Sequence, residues 1–233
     1  MFESGSEKLF CAIPARLGSK RVPEKNVRDL CGKPMLAYTI EAALDCGLFD
    51  SVYVCTESQK IADVAEHYGA LVPELVPDKL CGDLIPSWKP CAHLFNSVSK
   101  LTGHSYDSLL CLQPTSPLRN GDDIANSVRQ FIETDADYLL SVTEIDPHYF
   151  HWALQQEGGW RMVFGEDYLL ERTELPLRYR PNGSIKIARL SKLLEFGSFF
   201  GANLSCIETP EERSVHIGTE FEFNMAEFLL SKQ

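Results

Sequence analysis

The chain has 233 residues, of which 33 are acidic and 22 basic, so its formal net charge at pH 7 is −11. Hydrophobic residues make up 44% of the chain and charged residues 24%, which is typical of globular proteins and excludes disordered and fibrous classes. The acidic balance argues against general binding to nucleic acid or to an acidic membrane surface. A membrane-spanning helix needs about 20 apolar residues, and no apolar run in the sequence is that long. The polar N-terminus is unlike a signal peptide.

Short apolar runs alternate with amphipathic stretches along the chain, and these patterns predict strands and helices respectively. The predicted strands are Leu9–Pro14, Ser51–Cys55, Ser108–Leu112, Tyr138–Val142 and Gly183–Ala188. The predicted helices are Met35–Cys46, Lys60–Tyr68, Trp88–Leu101, Gly121–Glu133 and Glu220–Lys232. This alternation predicts an α/β fold with a Rossmann-like, doubly wound and mainly parallel sheet.

The alternation weakens after Val142. The stretch 143–181 is rich in aromatic and charged residues and contains the pair Gly158-Gly159. We interpret it as a lobe or arm inserted within a single domain spanning residues 1–233, and not as a separate domain.

The eight cysteines lie at least nine residues apart, and no C-x-x-C motif occurs. This spacing argues against the common zinc and redox signatures. Cys11, Cys55 and Cys111 fall in apolar runs, where a reduced thiol behaves as a small buried hydrophobe. We therefore expect reduced cysteines and a cytoplasmic protein.

The segment after the first predicted strand concentrates positive charge. Residues 16–33 contain six of the 22 basic residues against only two acidic ones. A connection of this length is usually functional, and Gly18-Ser19 permits a tight turn whose N–H groups face inward, as in anion-binding nests. Since ligands bind at the carboxyl ends of parallel strands, the segment predicts a triphosphate site, with a solvated surface loop as the alternative. The basic residues are Arg16, Lys20, Arg21, Lys25, Arg28 and Lys33.

Two common nucleotide-binding motifs are absent from the sequence. Gly32-Lys33 is followed by Pro34 and not by Ser or Thr, and no G-x-G-x-x-G occurs. The sequence therefore argues against an ordinary ATPase or dehydrogenase.

Several stretches resemble one known family. Residues 13–26 and 32–40 resemble the opening of the cytidylyltransferases that make CMP-activated nine-carbon acidic sugars, namely sialic, pseudaminic and legionaminic acids. Residues 112–119, Leu-Gln-Pro-Thr-Ser-Pro-Leu-Arg, are similar to the family's L-Q-P-T-S-P-x-R, and residues 136–142 match its following strand. Residues 181–185 resemble its N-G-A-I segment, and residues 199–201 its late aromatic pair.

The resemblance implies a nucleotide-diphospho-sugar transferase fold and a nucleotidyl-transfer reaction. An anomeric hydroxyl of the sugar would attack the α-phosphate of CTP and release pyrophosphate, with Mg²⁺ sharing the neutralisation of charge. The implied partners are CTP, an acidic sugar and a second copy of the chain, contacted through the arm.

The resemblance also assigns residues. It places Arg16 and Lys20 as catalytic groups that stabilise the transition state. The residues implied in nucleotide binding are Ala15, Arg16, Gly18, Ser19, Lys20, Lys25, Asn26 and Asp83. The residues implied in sugar binding are Gln113, Thr115, Ser116, Arg172, Asn182, Phe199 and Phe200.

The sugar-binding assignments have simpler alternatives. The loop around Gln113 contains two prolines that pre-set turns, and Asn182 is followed by glycine in a common turn pair. The pair Phe199-Phe200 is equally typical of a core, and Arg172 of a surface. Arg119 would bind the sugar carboxylate or lie exposed at a helix start.

The sequence departs from the family where the family binds its metal. The family has D-I-D-T, whose aspartates bind magnesium, whereas this chain has His216-Ile217-Gly218-Thr219. Lys186 also replaces a tyrosine, and Glu57 an aspartate. Two functions therefore remain open: an active transferase with altered metal ligation, or a weak or inactive paralogue that binds a nucleotide or a CMP-sugar.

Overall fold

A computed structural model describes residues 7–232 of the chain. Ten strands and seven α-helices alternate along these residues. The strands are β1 (Leu9–Pro14), β2 (Asp29–Leu30), β3 (Lys33–Pro34), β4 (Val52–Cys55), β5 (Ser108–Leu112), β6 (Tyr138–Ile145), β7 (Leu154–Gln156), β8 (Trp160–Met162), β9 (Arg178–Arg189) and β10 (Leu204–Glu208). The helices are α1 (Met35–Asp45), α2 (Gln59–His67), α3 (Trp88–Thr102), α4 (Gly121–Glu133), α5 (Pro147–His151), α6 (Leu190–Phe196) and α7 (Glu220–Leu230).

Six strands form the central sheet in the order β10-β6-β9-β5-β1-β4. Strand β1 pairs in parallel with β4 and β5, and β10 pairs in parallel with β6. Strand β9 runs antiparallel between β5 and β6. The prediction of a mainly parallel sheet is confirmed.

Helices cover both faces of this sheet. Cys11 and Ile13 of β1 pack on one face with side chains of α1, α2 and α4. Phe10 and Ala12 pack on the opposite face with side chains of α3 and α6. Neighbouring residues of a strand point to opposite faces, so the continuous apolar run of β1 is explained by burial on both sides.

All five predicted strands and all five predicted helices are present. Most of them begin or end a few residues away from the predicted positions. The largest shift is in β9, which begins at Arg178 and not at Gly183. Seven further elements are additional: strands β2, β3, β7, β8 and β10 and helices α5 and α6. Strand β10 alternates between exposed and half-buried residues at the sheet edge, so it lacks the apolar run on which the prediction depended.

Strands β6 and β9 continue past the sheet as a two-stranded ladder. Their pairing shifts register between Leu140 and Val142 and then runs on to Ile145 opposite Arg178. Residues 146–177, here called the arm, connect the two strands and contain α5 and the β7–β8 hairpin. The arm is therefore attached to the sheet through paired strands.

None of the helices over residues 7–232 has the length and apolar character needed to span a bilayer. The eight cysteine thiols are all free, and four of them are buried.

A cation-lined cavity as the candidate active site

A cavity of about 480 Å³ opens where β1 and β5 end. These strands are parallel neighbours, so the segments that follow them emerge at the same edge of the sheet. The residues that line the cavity are Pro14, Arg16, Ser19, Lys20, Arg21, Lys25, Asn26, Asp83, Gln113, Pro114, Thr115, His216 and Gly218.

The basic loop, residues 16–28, forms one wall of the cavity and is fixed through its backbone. The Asn26 carboxamide donates a hydrogen bond to the carbonyl of Arg16 at 2.8 Å. The Leu17 N–H donates to the Glu57 carboxylate at 2.8 Å, and the Leu36 N–H to the Asn26 carbonyl at 2.9 Å. Because these bonds use backbone groups, the cationic side chains remain available to a ligand.

Four of the six basic residues of segment 16–33 line the cavity: Arg16, Lys20, Arg21 and Lys25. The other two have structural partners. Arg28 pairs with Glu220 at 2.7 Å and lies over the ring of Phe223, 4.1 Å from its centroid. Lys33 pairs with Glu41. The local positive charge is thus divided between a ligand site and attachments to the rest of the fold.

The Asp83 carboxylate forms ion pairs with two of the cavity cations. Its carboxylate lies 2.5 Å from a guanidinium nitrogen of Arg16 and 2.6 Å from the ammonium of Lys20. Hydrogen bonds from Lys20 and Arg16 hold the pKa of Asp83 below its usual range. A phosphate group entering the cavity would compete with this carboxylate for the same two cations.

Lys25 bridges the basic loop to the opposite side of the cavity. Its ammonium donates to the Ile217 carbonyl at 2.8 Å. Burial and, to a smaller extent, the neighbouring charges of Arg21 and Arg16 together lower its pKa to about 8. A bound anion would reverse this effect, because it favours the charged ammonium.

The far wall, residues 214–222, is attached to the loop after β5. The Ile217 N–H donates to the Thr115 carbonyl at 2.7 Å, and the His216 Nδ1 lies 3.2 Å from the Thr115 hydroxyl. Although His216 is open to the solvent of the cavity, desolvation lowers its pKa to about 4, and Lys25 acts in the same direction. The imidazole is therefore neutral at pH 7.

The carboxylate of Glu222 accepts hydrogen bonds from other residues of the far wall. It accepts the Gly218 N–H at 2.7 Å and the Thr219 hydroxyl at 2.9 Å. Desolvation acts to raise the pKa of Glu222, but these hydrogen bonds outweigh it and lower the pKa.

The donors in this region do not fit the magnesium ion that the resemblance implies. Mg²⁺ prefers oxygen ligands in near-octahedral geometry, whereas His216 offers a nitrogen and Gly218 no side chain. Two carboxylates lie near them: Glu222 is hydrogen-bonded within the far wall, and Asp83 is paired with Arg16 and Lys20. Over residues 7–232, no group of three or more His, Cys, Asp or Glu side chains could hold a metal ion.

The structure brings most of the predicted nucleotide-binding residues together. Arg16, Ser19, Lys20, Lys25, Asn26 and Asp83 line the main cavity. Ala15 lines an adjoining cavity of about 150 Å³ with Cys55, Cys81 and Gly82. Gly18 is exposed on the basic loop and is not part of either lining.

The predicted sugar-binding residues are divided. Gln113 and Thr115 line the cavity. Ser116 and Phe199 are buried, and Phe199 packs into the core on the face covered by α3 and α6. Phe200 is 55% exposed outside the cavity lining. Arg172 is exposed in the arm, where it lies 3.5 Å from Asp146.

Asn182 is buried, and all of its side-chain bonding capacity is used within the protein. Its oxygen accepts the Ser141 hydroxyl at 2.6 Å and the Ser184 N–H at 3.1 Å. Its amide donates to the Thr209 hydroxyl at 2.5 Å and the Ser214 hydroxyl at 3.0 Å. Asn182 thus connects β6, β9 and the start of the far wall.

Of the two interpretations given for Arg119, the structure contradicts the exposed helix start. Its side chain is only 3% exposed, and it donates to the carbonyls of Ser184 at 2.9 Å and Gln113 at 3.3 Å. Burial lowers its pKa to about 10. Arg119 therefore supports the loop after β5 from beneath and is not placed to bind a sugar carboxylate in the cavity.

Sequence reasoning named Arg21 only as one of the six basic residues of its segment, and His216 only as a departure from the family's metal-binding pattern. Arg21 lies within the basic segment, so its charge was a usable signal. His216 is over 100 positions from Thr115, and only the pairing of their segments shows that they are neighbours.

A protein-family model described as cytidylyltransferase matches residues 10–148. The chain belongs to the cytidylyltransferase family. It is 31% identical over 225 residues to the pseudaminic acid cytidylyltransferase of Campylobacter jejuni, covering 95% of this chain and 96% of that one. It is 33% identical over 226 residues to the CMP-N,N'-diacetyllegionaminic acid synthase of Legionella pneumophila, covering 96% of each.

Solved structures of other cytidylyltransferases share the fold of this family member. A CMP:2-keto-3-deoxy-manno-octonic acid synthetase complexed with CTP superposes with a TM-score of 0.70 at 15% identity, covering 97% of this chain and 99% of that one. The 4-diphosphocytidyl-2C-methyl-D-erythritol synthase of Anaerococcus prevotii gives a TM-score of 0.64 at 10% identity, over 97% and 99%. The resemblance stated from the sequence is confirmed at the level of family and fold.

Proposed function

We propose that this protein transfers CMP from CTP to a nine-carbon 2-keto acidic sugar of the pseudaminic, legionaminic or sialic acid type. The observation that carries the proposal is the cavity in which Arg16, Lys20, Arg21 and Lys25 surround one space at the carboxyl edge of the sheet. The full-length similarity to enzymes named for pseudaminic and legionaminic acid supports this class of sugar.

In the proposed reaction, the oxygen of the anomeric hydroxyl attacks the α-phosphorus of CTP and forms a new P–O bond. The bond between the α-phosphorus and the bridging oxygen breaks, and pyrophosphate leaves with the electron pair. The hydroxyl proton is released to solvent. Such a reaction depends on positioning and on stabilising the charge that develops on the phosphate oxygens.

Arg16 and Lys20 are the groups that we assign to this stabilisation. Both already bind an anion, because Asp83 lies between them. In the complex, the triphosphate would take over these two cations from Asp83, with Lys25 and Arg21 on the adjoining wall. Electrostatic groups held in place before the reaction need no reorganisation when the charge develops.

The cytosine base is assigned to the adjoining cavity of about 150 Å³. This cavity shares Arg16, Asp83 and Gln113 with the main one, so a single nucleotide can occupy both. Its lining includes Ala15 and Gly82, which offer backbone groups to the base edge. The sugar is assigned to the side of Gln113 and Thr115.

We also propose a homodimer formed through the arm. The arm exposes large apolar side chains, including Tyr149 at 84%, Trp160 at 69% and Leu169 at 66%, and clustered exposure of this kind marks interaction surfaces. Arg172 lies in the same segment and away from its own cavity, so a sugar contact by Arg172 would be made across the dimer. Sedimentation velocity would test this arrangement.

The proposed location is the cytoplasm, because free thiols persist under reducing conditions.

A second candidate is a paralogue that binds a nucleotide or a CMP-sugar without turnover. It is favoured by His216 and Gly218, which stand where the resemblance places metal-binding aspartates.

One assay separates the two candidates. The protein is incubated with CTP, Mg²⁺ and a panel of nine-carbon sugar acids, and release of pyrophosphate is measured beside a sialic acid synthetase as positive control. Sugar-dependent release supports the transferase. CTP binding without release across the panel supports the binding protein, and absence of CTP binding contradicts both.

A further inference from the structure

Arg21 lies beside Gly218 in the main cavity, and both residues belong to its lining. A Cβ atom at position 218 would lie 3.6 Å from Nη1 of Arg21 and 3.7 Å from its Cζ. The guanidinium therefore borders the space that a side chain at position 218 would enter. An aspartate there would pair with Arg21, since its carboxyl carbon is bonded directly to the Cβ.

Two buried residues hold Arg21 and Gly218 together. Val22 follows Arg21 in the chain and Ile217 precedes Gly218, and both are fully buried in one apolar cluster with Phe223 of α7. The basic loop is thus packed against the far wall at this point. The place of Arg21 beside Gly218 is set by the core, and its guanidinium remains available to a ligand.

The glycine at position 218 is not required by the backbone. Gly218 is absent from the glycines with a positive φ, so other residues can adopt its conformation. A Cβ at this position would come within 3.2 Å of the Glu222 carboxylate, which ends a flexible side chain. What distinguishes glycine here is that it places no side chain next to Arg21.

The guanidinium of Arg21 has no carboxylate partner. It forms no ion pair within 4.0 Å with any residue of the range 7–232. Asp83 is paired with the other two cations, and Glu222 is hydrogen-bonded within the far wall. In a protein with a net charge of −11, an unpaired guanidinium in a cavity favours an anionic ligand.

The two cavities indicate which part of the nucleotide meets Arg21. Arg16 lines both cavities, whereas Arg21 and Gly218 line only the main one. With the cytosine base in the adjoining cavity, as proposed above, the β- and γ-phosphates extend into the main cavity on the side of Arg21. A guanidinium presents a planar fork of donors that suits phosphate oxygens.

On the basis of the proposed function, we propose that Arg21 binds the β- and γ-phosphates of CTP, and that Gly218 keeps the guanidinium free by carrying no side chain. Arg21 then supplies positive charge on the side of the cavity whose donors do not fit a magnesium ion. During the transfer described above, its N–H groups donate to oxygens of the leaving pyrophosphate and exchange no proton. The protein therefore binds CTP without holding a divalent ion of its own.

The test compares wild type with Arg21→Met, Arg21→Lys, Gly218→Asp and Gly218→Asn in the full chain. Methionine removes the charge of Arg21, and lysine keeps the charge without the fork. Aspartate and asparagine are nearly equal in size, so the difference between them reports the effect of charge. Arg129→Met is the matched control, because Arg129 is exposed on α4 and bonded to Asn126 at 3.1 Å, outside the cavity lining. Thermal unfolding establishes that each variant is folded.

Affinities for CTP and for CMP are measured by titration calorimetry, in EDTA and in Mg²⁺. CMP lacks the β- and γ-phosphates, so it separates a direct contact from a general distortion of the site. For wild type, CTP affinities in EDTA and in Mg²⁺ should agree within about threefold. For Arg21→Met in EDTA, CTP affinity should fall about 30-fold, as expected for a lost hydrogen bond between charged groups, and CMP affinity should be unchanged.

The variants of Gly218 should differ according to charge. Gly218→Asp should lower CTP affinity in EDTA about tenfold, because the new carboxylate pairs with Arg21 and repels the phosphates. Gly218→Asn and Arg129→Met should bind CTP like wild type. Arg21→Lys should fall between wild type and Arg21→Met, since it keeps the charge and loses the planar donors.

Four results would overturn the inference while leaving the proposed function intact. They are wild-type CTP affinity in Arg21→Met, an equal loss of CTP and CMP affinity in that variant, equal CTP affinities in Gly218→Asp and Gly218→Asn, and a wild type that binds CTP only with Mg²⁺.

Pyrophosphate release with the panel of sugar acids is followed in parallel. CTP binding that depends on Arg21, without release for any sugar acid, would support the inference and contradict the transferase. A wild type that binds no CTP under either condition would overturn both.

Discussion

The two walls of the cavity are built in opposite ways. In the basic loop, backbone groups form the attachments to the fold, and the side chains of Arg16 and Lys20 face the ligand space. In the far wall, side chains are used for attachment, as Glu222 shows, and the Ile217 carbonyl holds Lys25. The side chains of Arg16 and Lys20 can therefore be exchanged with little effect on folding, whereas changes in the far wall alter its geometry.

This difference explains where the chain departs from its family. Residues 13–26 keep the family pattern, and in the proposed function their cations act directly on the triphosphate. Residues 216 and 218 have lost the carboxylates expected there, and the region around them has gained positive charge from β9.

The largest expected effect is on the loop side. Lys20→Ala should lower the rate of CMP transfer about 100-fold, since one preorganised electrostatic contact is worth about 3 kcal/mol in the transition state. Folding should be unchanged, because the Lys20 side chain is 84% exposed. The measurement is pyrophosphate release at saturating CTP, together with thermal unfolding. Lys33→Ala is the control, since Lys33 belongs to the same basic segment but pairs with Glu41. Equal rates for the Lys20 variant and wild type would remove Lys20 from the mechanism.

A substitution at Asn182, which is bonded to the start of the far wall, should affect the stability of the protein. Asn182→Ala leaves the hydroxyls of Thr209 and Ser214 without their buried partner, and such a loss costs about 2 kcal/mol. The melting temperature should fall by about 4–8 °C for a chain of this size. Gln113→Ala is the control, because Gln113 lines the cavity and should unfold like wild type. Wild-type stability for the Asn182 variant would instead favour a direct ligand contact.

CTP affinity should depend on pH through Lys25, which joins the two walls. Since burial lowers the pKa of Lys25 to about 8, its ammonium is charged below this pH and neutral above it. A bound triphosphate raises this pKa, so CTP affinity should be constant just below pH 8 and fall above it, by at most about tenfold per pH unit. Calorimetric titrations between about pH 7 and 9.5 would measure this slope. Lys25→Met should bind more weakly and show no such slope, and an identical slope in that variant would assign the titration to another group.

The smallest expected effect is on CTP affinity when Asp83, the counter-ion of Arg16 and Lys20, is replaced. Asp83→Asn removes the carboxylate that occupies Arg16 and Lys20. CTP affinity should rise by about threefold at low salt, because exposed ion pairs are weak, and the gain should disappear at high salt. Affinity that falls instead would mean that the Asp83 carboxylate contacts the nucleotide directly.

The sheet was predictable because its strands are buried on both faces. The apolar runs of β1, β5 and β6 are typical of such strands, and their alternation with helices predicts a mainly parallel sheet. Strand β10 was not predictable in this way, since its residues are half exposed at an edge. The extension of β6 to Ile145 was missed because Thr143 and Glu144 interrupt the apolar pattern.

The basic loop was predictable because charge and position coincide in one short segment. The far wall was not, since the contact between His216 and Thr115 joins distant parts of the chain. Asn182 and Arg119 show a second limit. Both are polar residues near the site, but the sequence does not reveal that their hydrogen bonds go to the protein itself.

The ladder of β6 and β9 has a consequence for the construction of chimeras. The same strand, β9, begins directly after the arm at Arg178 and carries Asn182, which is bonded to Ser214 of the far wall. A graft that exchanges the arm with that of a relative must join within residues 146–177, where the two strands are no longer paired. A junction inside the ladder that gained or lost one residue would turn every following side chain to the opposite face of the sheet, and the graft would then lose its active site while keeping its arm.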